Sequence, residues 1–290
     1  DASRYRDQEE FERWRQRDPI LRFQKYLRRR ELWTEEWEQE IEPALREVYL
    51  QKVEGLPATQ AEAFGQAFAA YCDARYGIMM PHGTDAISAA VAGALDLDGL
   101  GDGGEIIIPN YTFIATASAP LSTRCSLALV DIDPVCFTMD PEAVEAAVTD
   151  RTVGLLPVHV GGHPADMDAL NAVAKKHNLV VVEDCAQAHG AEHRNHKVGP
   201  LGHVGAYSFQ SSKNLTSGEG GCIVTNNPDI RDRAHAFKDV GRRPGGERWE
   251  YPRHGWNYRT SEYLATILLR RLSKVESQTS LRNENADYLS

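Results

Sequence analysis

From about residue 58 onward, helical segments alternate with short runs of β-branched and other apolar residues. This alternation is typical of a parallel sheet, because parallel strands are joined by helical crossovers that cover the sheet. Two of the runs, 154–160 and 179–183, are almost continuously apolar, as expected of strands buried on both faces. The sequence therefore predicts an α/β fold with a mostly parallel central sheet and helices on both faces.

The predicted strands and helices follow one another at short intervals along this part of the chain. Strands are predicted at 105–108, 127–132, 154–160, 179–183, 205–209 and 221–225. Helices are predicted at 60–76, 85–95, 141–148, 165–177 and 229–240. No internal repeat or low-complexity linker interrupts the series.

The first 48 residues differ in composition, since they are dense in Arg and Glu with three tryptophans spaced among them. They predict two amphipathic helices separated at Asp18-Pro19, where the proline ends a helix. Because this segment has no apolar core of its own, we interpret 1–48 as a separate helical unit ahead of a large domain at 49–260.

The composition excludes several classes of protein. Of the 290 residues, 42% are hydrophobic, which is the ordinary range for globular proteins. The formal net charge of −10 would repel a phosphate backbone, so nucleic acid is not expected as a partner. No run approaches the roughly 20 apolar residues that cross a bilayer. Because the N-terminus is also too charged for a secretory signal, we expect a cytoplasmic protein without membrane association.

The five cysteines are an odd number and include no CxxC pair. Their spacing relative to the histidines is not that of a zinc finger, so neither a disulfide framework nor a metal site is predicted. We interpret them as buried thiols.

A single lysine, Lys213, lies in the small and polar segment 208–221 between two predicted strands. Lysine side chains are normally exposed, and burying the amine is costly unless it is neutral or covalently engaged. A lysine that forms a Schiff base meets that condition. The alternative is an ordinary solvated loop lysine.

Asp184 follows the predicted strand 179–183, at the edge of the sheet where α/β folds bind ligands. A carboxylate there is suited to pair with a pyridinium nitrogen and keep the ring protonated, so that the ring accepts electrons from a carbanion. The alternative is that Asp184 caps a following helix.

Two further segments come to the same predicted edge. Before the helix predicted at 85–95, the amides of Gly83 and Thr84 are suited to bind a phosphate, and Gly83 permits close approach. The alternative is simple capping by Thr84. Phe113, after the strand predicted at 105–108, offers an aromatic face, although such rings more often pack in the core.

In this order and spacing, these segments resemble the DegT/StrS-type sugar aminotransferases, a family of fold-type-I pyridoxal-phosphate enzymes, over about 50–290. The family has a strand-ending aspartate ahead of its Schiff-base lysine, at a spacing close to the 29 residues between Asp184 and Lys213. By this resemblance Lys213 forms the Schiff base and shuttles a proton, and Asp184 pairs with the pyridine nitrogen. Gln187 would lie near the ring hydroxyl, and Phe113 over the ring face.

The same resemblance assigns the cofactor's phosphate to Ser208 and to the amides of Gly83 and Thr84. Asn257, in a Gly-Trp-Asn-Tyr-Arg motif, matches an asparagine that reaches the phosphate of the neighbouring subunit. A homodimer with shared active sites is therefore implied.

The implied reaction is a transamination, in which an amino group moves from glutamate or glutamine to a keto-sugar or cyclitol ketone by way of the Lys213 Schiff base. A related sugar dehydratase has histidine in place of the lysine, so Lys213 argues against it. A catalytically inactive or regulatory member of the same fold is the remaining alternative. Four side chains are candidates for lining the substrate pocket, with a structural role as the alternative: His159, His163, His189 and Trp256.

Two features depart from the family pattern within the resembling region. His82 stands where many members have serine or asparagine, so the details of the phosphate site stay open. Family members continue into a small C-terminal domain after the long helix that begins here near Ser261. Residues 261–290 are thus expected to hold only the start of that domain.

The N-terminal region carries a second resemblance. The segments 5–10 and 14–20 look like the C-terminal tail of a thiamine-diphosphate-dependent 2-oxo acid dehydrogenase α subunit. Such a tail contains none of that enzyme's cofactor-binding residues. We interpret 1–48 as a segment of different origin, with an accessory segment of the aminotransferase, or a dehydrogenase interaction tail, as alternatives.

Overall fold

The computed structural model describes residues 25–26, 28–30, 34, 37–53, 59–97, 102–247 and 249–289. The chain divides into two compact units, Asp1–Leu56 and Pro57–Ser290. In the first unit, a short π-helix at Trp37–Ile41 leads into helix α1, Glu42–Val53, which runs through the boundary predicted at residue 48. Of the two helices predicted around Asp18-Pro19, the first lies outside the described residues, and the second is described only in parts.

The second unit is built on a seven-stranded sheet and a small two-stranded hairpin. Its strands are β1 (Tyr76–Met80), β2 (Glu105–Pro109), β3 (Ser126–Val130), β4 (Thr152–Leu155), β5 (Val180–Asp184), β6 (Glu192–His193), β7 (His196–Lys197), β8 (Val204–Ser208) and β9 (Gly221–Thr225). The sheet order is β1-β9-β8-β5-β4-β2-β3, and β6 pairs with β7. Strand β9 runs antiparallel to both of its neighbours, β1 and β8, and the other strand pairs of the sheet are parallel. The predicted α/β fold with a mostly parallel sheet is confirmed.

Eight described α-helices and one short 3-10 helix, Val160–Gly162, accompany the sheet. The α-helices are α2 (Gln60–Tyr71), α3 (Gly83–Ala94), α4 (Ala115–Ser122), α5 (Pro141–Ala147), α6 (Met167–His177), α7 (Pro228–Lys238), α8 (Glu262–Leu272) and α9 (Val275–Leu289). None of the described helices is long and apolar enough to cross a membrane.

Alternate residues of each strand pack against different groups of helices. In β2, Ile106 and Ile108 join a cluster with α3 and α7, whereas Ile107 joins one with α5 and α6. In β9, Ile223 faces the first cluster and Cys222 faces a third one, formed with α2 and α8. Since successive side chains of a strand point to opposite faces, the sheet is buried on both sides, as predicted.

Strand β1 was not predicted, because 60–76 reads as one helix in the sequence. Helix α2 ends at Tyr71, and Asp73 then adopts a left-handed conformation with φ of 57° that turns the chain into the strand. Strand and helix pack backbone to backbone, since a Cβ at Gly77 would lie 1.9 Å from the Gly65 carbonyl oxygen. The strand is therefore determined by a close tertiary contact, and its own apolar pattern is short.

The strand predicted at 154–160 ends early, because β4 stops at Leu155. Pro157 has no N–H to donate, although its carbonyl accepts the Asp184 N–H at 2.9 Å.

Helix α4 was not predicted at all. The helix expected from Ser261 is instead two helices, α8 and α9, separated at 273–274.

Four of the five cysteines are buried, and the fifth, Cys136, is partly buried; all are free thiols. Burial raises the pKa of the Cys72 thiol to about 12. A thiol with such a pKa is protonated and unreactive at neutral pH, which supports a packing role.

We expect Phe68→Ala to destabilise the second unit strongly. Phe68 is fully buried, with its ring centroid 4.9 Å from that of Tyr207 and 5.1 Å from that of Phe209. Removing such a side chain leaves a cavity and costs about 3–5 kcal/mol. The control is Leu129→Ala, on a residue that is 66% exposed on edge strand β3, which should cost less than about 0.5 kcal/mol. Urea unfolding followed by circular dichroism measures both, and equal losses would contradict the burial of Phe68 in the core.

Candidate active site at the strand edge

The candidate residues meet where several strands end. Met80, Asp184 and Ser208 are the last residues of β1, β5 and β8, and Gly221 is the first residue of the antiparallel β9. Met80 pairs with Gly221, and Ser208 pairs with Gly221 from the other side. The carboxyl ends of the parallel strands and the β8–β9 connection thus share one edge of the sheet, which is where ligands bind in such folds.

The start of α3 and the end of β8 form a cradle for an anion. Helix α3 begins at Gly83, and a Cβ at that position would lie 2.6 Å from the Ser208 Cβ, so only glycine fits there. The first amides of a helix lack partners within the helix and carry the positive end of its dipole. Next to them lies the hydroxyl of Ser208, which is a buried residue. Amides and hydroxyl together suit a phosphate.

Capping of α3 by Thr84 is wrong, because the N-cap residue is His82 and its side chain makes no capping bond. Thr84 is the second residue of the helix, and its carbonyl accepts from Ser88 Oγ at 3.2 Å. His82 instead lies 2.9 Å from a Glu219 carboxylate oxygen through Nδ1. This contact links the start of α3 to the connection between β8 and β9.

Asp184 presents a buried carboxylate at the end of β5, with 5% of the residue exposed. Its Oδ1 accepts the Ala186 N–H at 3.0 Å, and its Oδ2 accepts the Thr116 hydroxyl at 2.8 Å. Burial raises the pKa of this carboxyl, and the amide of Ala186, the hydroxyl of Thr116 and nearby positive charges offset part of the effect. The alternative of a helix cap is wrong, because a turn follows Asp184 and the next residues form no helix.

Lys213 lies half-buried in the connection between β8 and β9. Its amide donates to the Gln210 carbonyl at 2.9 Å, and the Gln210 side chain accepts from the amide and hydroxyl of Ser212. The segment that carries Lys213 leaves β8 after Ser208, at the same edge of the sheet as Asp184. Burial raises the pKa of Asp184 and lowers that of His189, and the positive charge of Lys213 opposes the first shift and adds to the second. Among the described residues no carboxylate forms an ion pair with Lys213.

The remaining candidates differ in how they are held. Gln187, three residues after Asp184, accepts the Gly161 N–H through Oε1 at 2.7 Å. Phe113 is 67% exposed, so the alternative of a core residue is wrong. Asn257 is also exposed, its backbone forms a bridge with Asp239, and no hydrogen bond joins its side chain to the other candidates in the described part of the chain.

Of the four side chains weighed as pocket residues, two are buried and two are exposed. His159 accepts the Ala165 N–H through Nδ1 at 3.1 Å, so its Nε2 carries the hydrogen that it donates to Glu183 at 3.0 Å. The His189 ring is buried near the rings of Tyr207 and Phe209. For His159 the structural alternative is therefore the right one, while His163 and Trp256 are exposed.

Two hydroxyls at this edge were missed by the sequence analysis. Thr116 donates to Asp184, and the Thr112 hydroxyl lies 2.7 Å from that of Thr116. Both belong to the segment that forms α4 and the turn before it. Without a predicted helix at that place, no sequence pattern indicated that these hydroxyls turn toward Asp184.

The arrangement offers one group for each part of a small anionic heterocycle. The α3 amides and Ser208 suit its phosphate, while the Asp184 oxygens, each with one hydrogen bond and room for another, suit a protonated ring nitrogen. Lys213 offers an amine that suits a carbonyl group. A buried carboxylate without an ion-pair partner among the described residues is costly by itself, so a cationic ligand fits this position.

Comparison with known proteins identifies relatives of both parts of the chain. Residues 36–290 match the model of the DegT/DnrJ/EryC1/StrS aminotransferase family, and residues 1–59 match that of the dehydrogenase E1 component. Both resemblances noted from the sequence are thus confirmed. The two matched regions overlap at 36–59, which contains helix α1.

Among curated proteins, the chain is 41% identical over 235 residues to the L-glutamine:2-deoxy-scyllo-inosose aminotransferase of Streptoalloteichus tenebrarius, covering 78% of this chain and 54% of that protein. It is 39% identical over 233 residues to the dTDP-3-amino-3,4,6-trideoxy-alpha-D-glucose transaminase of Streptomyces venezuelae, covering 80% and 60%. The chain thus spans little more than half the length of these relatives. The crystal structure of S. venezuelae DesV in complex with a ketimine intermediate superposes with a TM-score of 0.76 at 37% identity, covering 84% of this chain and 64% of that one.

The burial of His189 gives a prediction on stability and pH. Its ring lies 5.5 Å from that of Tyr207 and 5.7 Å from that of Phe209, and burial lowers its pKa to about 4 from an ordinary value of 6.5. As the pH falls below about 6.5, the unfolded chain binds a proton that the folded chain does not, so stability falls.

We therefore expect the wild type to lose about 2 kcal/mol more unfolding free energy than His189→Phe between pH 7.5 and pH 5. Urea unfolding at the two pH values measures the difference. The control is His196→Gln, at an exposed histidine of β7, which should follow the wild type. If the unfolding free energies of the wild type and His189→Phe change with pH in parallel, His189 has the same pKa in the folded and unfolded states, which contradicts the prediction.

Proposed function

The chain belongs to the DegT/DnrJ/EryC1/StrS aminotransferase family over residues 36–290, and on that premise we propose that it is a pyridoxal-phosphate-dependent aminotransferase. The amino donor is glutamate or glutamine, and the acceptor is a keto-sugar or a cyclitol ketone. The observation that carries this proposal is a buried carboxylate, Asp184, near the positive charge of a half-buried lysine, Lys213, at the edge where α/β folds bind ligands.

Pyridoxal phosphate, when bound, supplies an aldehyde that bonds to amines and a ring that accepts the electron pair of a carbanion. Lys213 provides the amine that attaches the cofactor. Freed from the cofactor by the amino donor, the Lys213 Nζ would take up the proton of the donor's α-carbon and pass it to the carbon of the cofactor's aldehyde group. This role requires part of the amine to be neutral near the working pH.

Asp184 keeps the ring nitrogen protonated by pairing its carboxylate with the N–H. Burial raises the pKa of Asp184 when no ligand is bound. The same burial strengthens the attraction of the carboxylate to a bound cation, because the local dielectric constant is low. Gln187 provides a neutral hydrogen-bonding group near the ring hydroxyl, and Phe113 provides an aromatic face. These two roles rest on the family resemblance.

The cofactor's phosphate is assigned to the Ser208 hydroxyl and to the amides of Gly83 and Thr84. The contact between Gly83 and Ser208 supports this assignment, since it brings a hydroxyl to the positive end of a helix. Asn257 is assigned to the phosphate of the neighbouring subunit in a homodimer. Its exposure is compatible with a contact made outside its own chain.

The substrate class rests on the relatives. One relative is named for L-glutamine and 2-deoxy-scyllo-inosose, a cyclitol ketone, and another for a dTDP-linked amino sugar. We therefore assign glutamine or glutamate as donor and a cyclic polyhydroxy ketone as acceptor.

A second candidate function is a member of the same fold that binds the cofactor without turnover. Such a protein would attach the cofactor but would show no half-reaction with glutamine or glutamate. A visible absorbance scan before and after addition of the amino donor separates the two functions.

We expect Lys213→Ala to abolish covalent attachment of the cofactor and all amino transfer. Purified protein is incubated with pyridoxal phosphate, reduced with borohydride, digested and analysed by mass spectrometry, which locates the labelled lysine. The control is Lys175→Ala, at an exposed lysine in the last turn of α6, which should be labelled at Lys213 like the wild type. Labelling at any other lysine in the wild type, or retained turnover in Lys213→Ala, would refute the assignment.

We expect Asp184→Ala to lower the rate of the half-reaction with glutamine far more than Gln187→Ala does. The first change removes a charge that pairs with the ring nitrogen, whereas the second removes a neutral hydrogen bond, which is about half as strong. Stopped-flow absorbance gives a loss of about 100-fold or more for Asp184→Ala and about 10-fold or less for Gln187→Ala. Equal losses would count against the pairing of Asp184 with the ring nitrogen.

A further inference from the structure

A hydrogen bond between Thr116 and Asp184 joins α4 to the end of β5. Thr116, in the first turn of α4, is fully buried, and its hydroxyl donates to Asp184 Oδ2 at 2.8 Å. The two residues are 68 positions apart in sequence. A buried hydroxyl without a hydrogen-bond partner is costly. The bond to Asp184 Oδ2 therefore stabilises the packing of α4 against the edge of the sheet.

The direction of the hydrogen bonds follows from the groups themselves. An ionised carboxylate only accepts, so the Thr116 hydrogen points at Asp184. A hydroxyl has one hydrogen, and the Thr112 hydroxyl at 2.7 Å must therefore donate to Thr116. Thr112 and Thr116 thus form a chain of two hydroxyls that ends on the carboxylate, and such chains polarise one another.

The hydrogen bond from Thr116 stabilises the negative charge of the Asp184 carboxylate and also fixes its orientation. Oδ1 is held by the Ala186 amide of its own turn, and Oδ2 is held from a separate helix. The Asp184 backbone is fixed too, since its N–H donates to the Pro157 carbonyl and its carbonyl accepts from the His159 N–H. With both oxygens and the main chain held, the carboxylate plane cannot rotate freely, and its free acceptor positions keep one orientation.

We propose that Thr116 is a positioning residue for the amino transfer, whose hydroxyl holds the Asp184 carboxylate ionised and aimed at the ring nitrogen of pyridoxal phosphate, with Thr112 completing the chain. The inference rests on the proposed function. A hydrogen bond to a charged acceptor in a buried site is stronger than one between neutral groups. Its loss leaves Asp184 with a single donor on Oδ1, so the carboxylate is both less stable as an anion and free to turn.

The test compares variants of the protein loaded with pyridoxal phosphate. Thr116→Val removes the hydroxyl and keeps the side-chain shape, whereas Thr116→Ser keeps the hydroxyl. The matched control is Thr266→Val, at a threonine of α8 that is also buried but donates to the Glu262 carbonyl at 2.8 Å. This control removes the same atom from an equally buried place with no contact to Asp184.

The first measurement does not depend on turnover. With pyridoxal phosphate labelled with nitrogen-15 in the ring, the nitrogen resonance reports whether the ring nitrogen is protonated. We expect a protonated nitrogen in the wild type, Thr116→Ser and Thr266→Val, and a shift toward the unprotonated position in Thr116→Val. The dissociation constant of the cofactor should rise in Thr116→Val alone.

The second measurement is the half-reaction with glutamine. Thr116→Val should slow it by about 10- to 100-fold, as expected for the loss of a hydrogen bond to a buried charge, and Thr112→Val by less. Thr116→Ser should stay within about threefold of the wild type, since it restores the donor. Thr266→Val should leave the rate unchanged.

The outcomes separate the two hypotheses. If wild-type Lys213 attaches the cofactor while Thr116→Val and Thr266→Val give the same nitrogen resonance and the same rate, the role of Thr116 is overturned and the proposed function stands. If wild-type Lys213 is not labelled at all, the proposed function itself is overturned. The positioning role of Thr116 is supported if the ring-nitrogen resonance is shifted in Thr116→Val and returns to the wild-type position in Thr116→Ser. A purely structural defect would also shift the resonance in Thr266→Val.

Discussion

Two consecutive carboxylates at the end of β5, those of Glu183 and Asp184, are buried and therefore need hydrogen-bond donors from the protein or a ligand in place of water. Much of the structure near this end of the sheet supplies those donors. Neighbouring residues of a strand point to opposite faces, so Glu183 and Asp184 depend on different donors. Glu183 accepts from the His159 ring and from the Gly199 and Gly202 amides, at 3.0, 2.8 and 2.6 Å. Within the described part of the chain, the Asp184 side chain accepts from two donors. The first carboxylate is saturated by the protein, and the second keeps capacity for a ligand.

The topology of the sheet determines what stands around the second carboxylate. Because β9 is antiparallel to β8, the connection that carries Lys213 begins and ends at the same edge as Asp184. The neighbouring β1 also ends there and leads directly into α3, whose first residue, Gly83, packs against Ser208. An amine, an anion cradle and a carboxylate are thereby grouped within one end of the fold. A fully parallel arrangement with a helical crossover would have sent the chain after β8 to the other end of the sheet.

The sequence predicted the parts of the fold whose signal is local. The runs that became β2, β5, β8 and β9 were found nearly to the residue, because strands buried on both faces are continuously apolar. Strand β1 was missed because it depends on backbone contact between Gly77 and Gly65, which no periodicity reports. Helix α4 was missed in a segment of small residues with Pro120 inside the helix.

In the site, Lys213 and Asp184 could be named from the sequence because their surroundings and spacing form a pattern shared by a family. Thr116 could not, since a threonine among small residues carries no such pattern, and only the packing of α4 against β5 turns its hydroxyl toward Asp184. The alternatives for Asp184 and Thr84 as helix caps were excluded in the same way, by the location of helix starts. Phe113 gave an ambiguous signal, because an aromatic residue at a strand end suits a core and a ligand equally.

By itself, the sequence determined the α/β class, the series of buried strands and the two charged residues suited to pyridoxal phosphate chemistry. These properties follow from hydrophobic pattern and residue type, which act over a few neighbouring positions. The tertiary structure decided which donors hold the Asp184 carboxylate, that the Glu183 carboxylate is saturated, and that Gly83 meets Ser208. The physical reason is that hydrogen bonds and close contacts act over about 3 Å, whereas the residues that form them lie tens of positions apart in the chain.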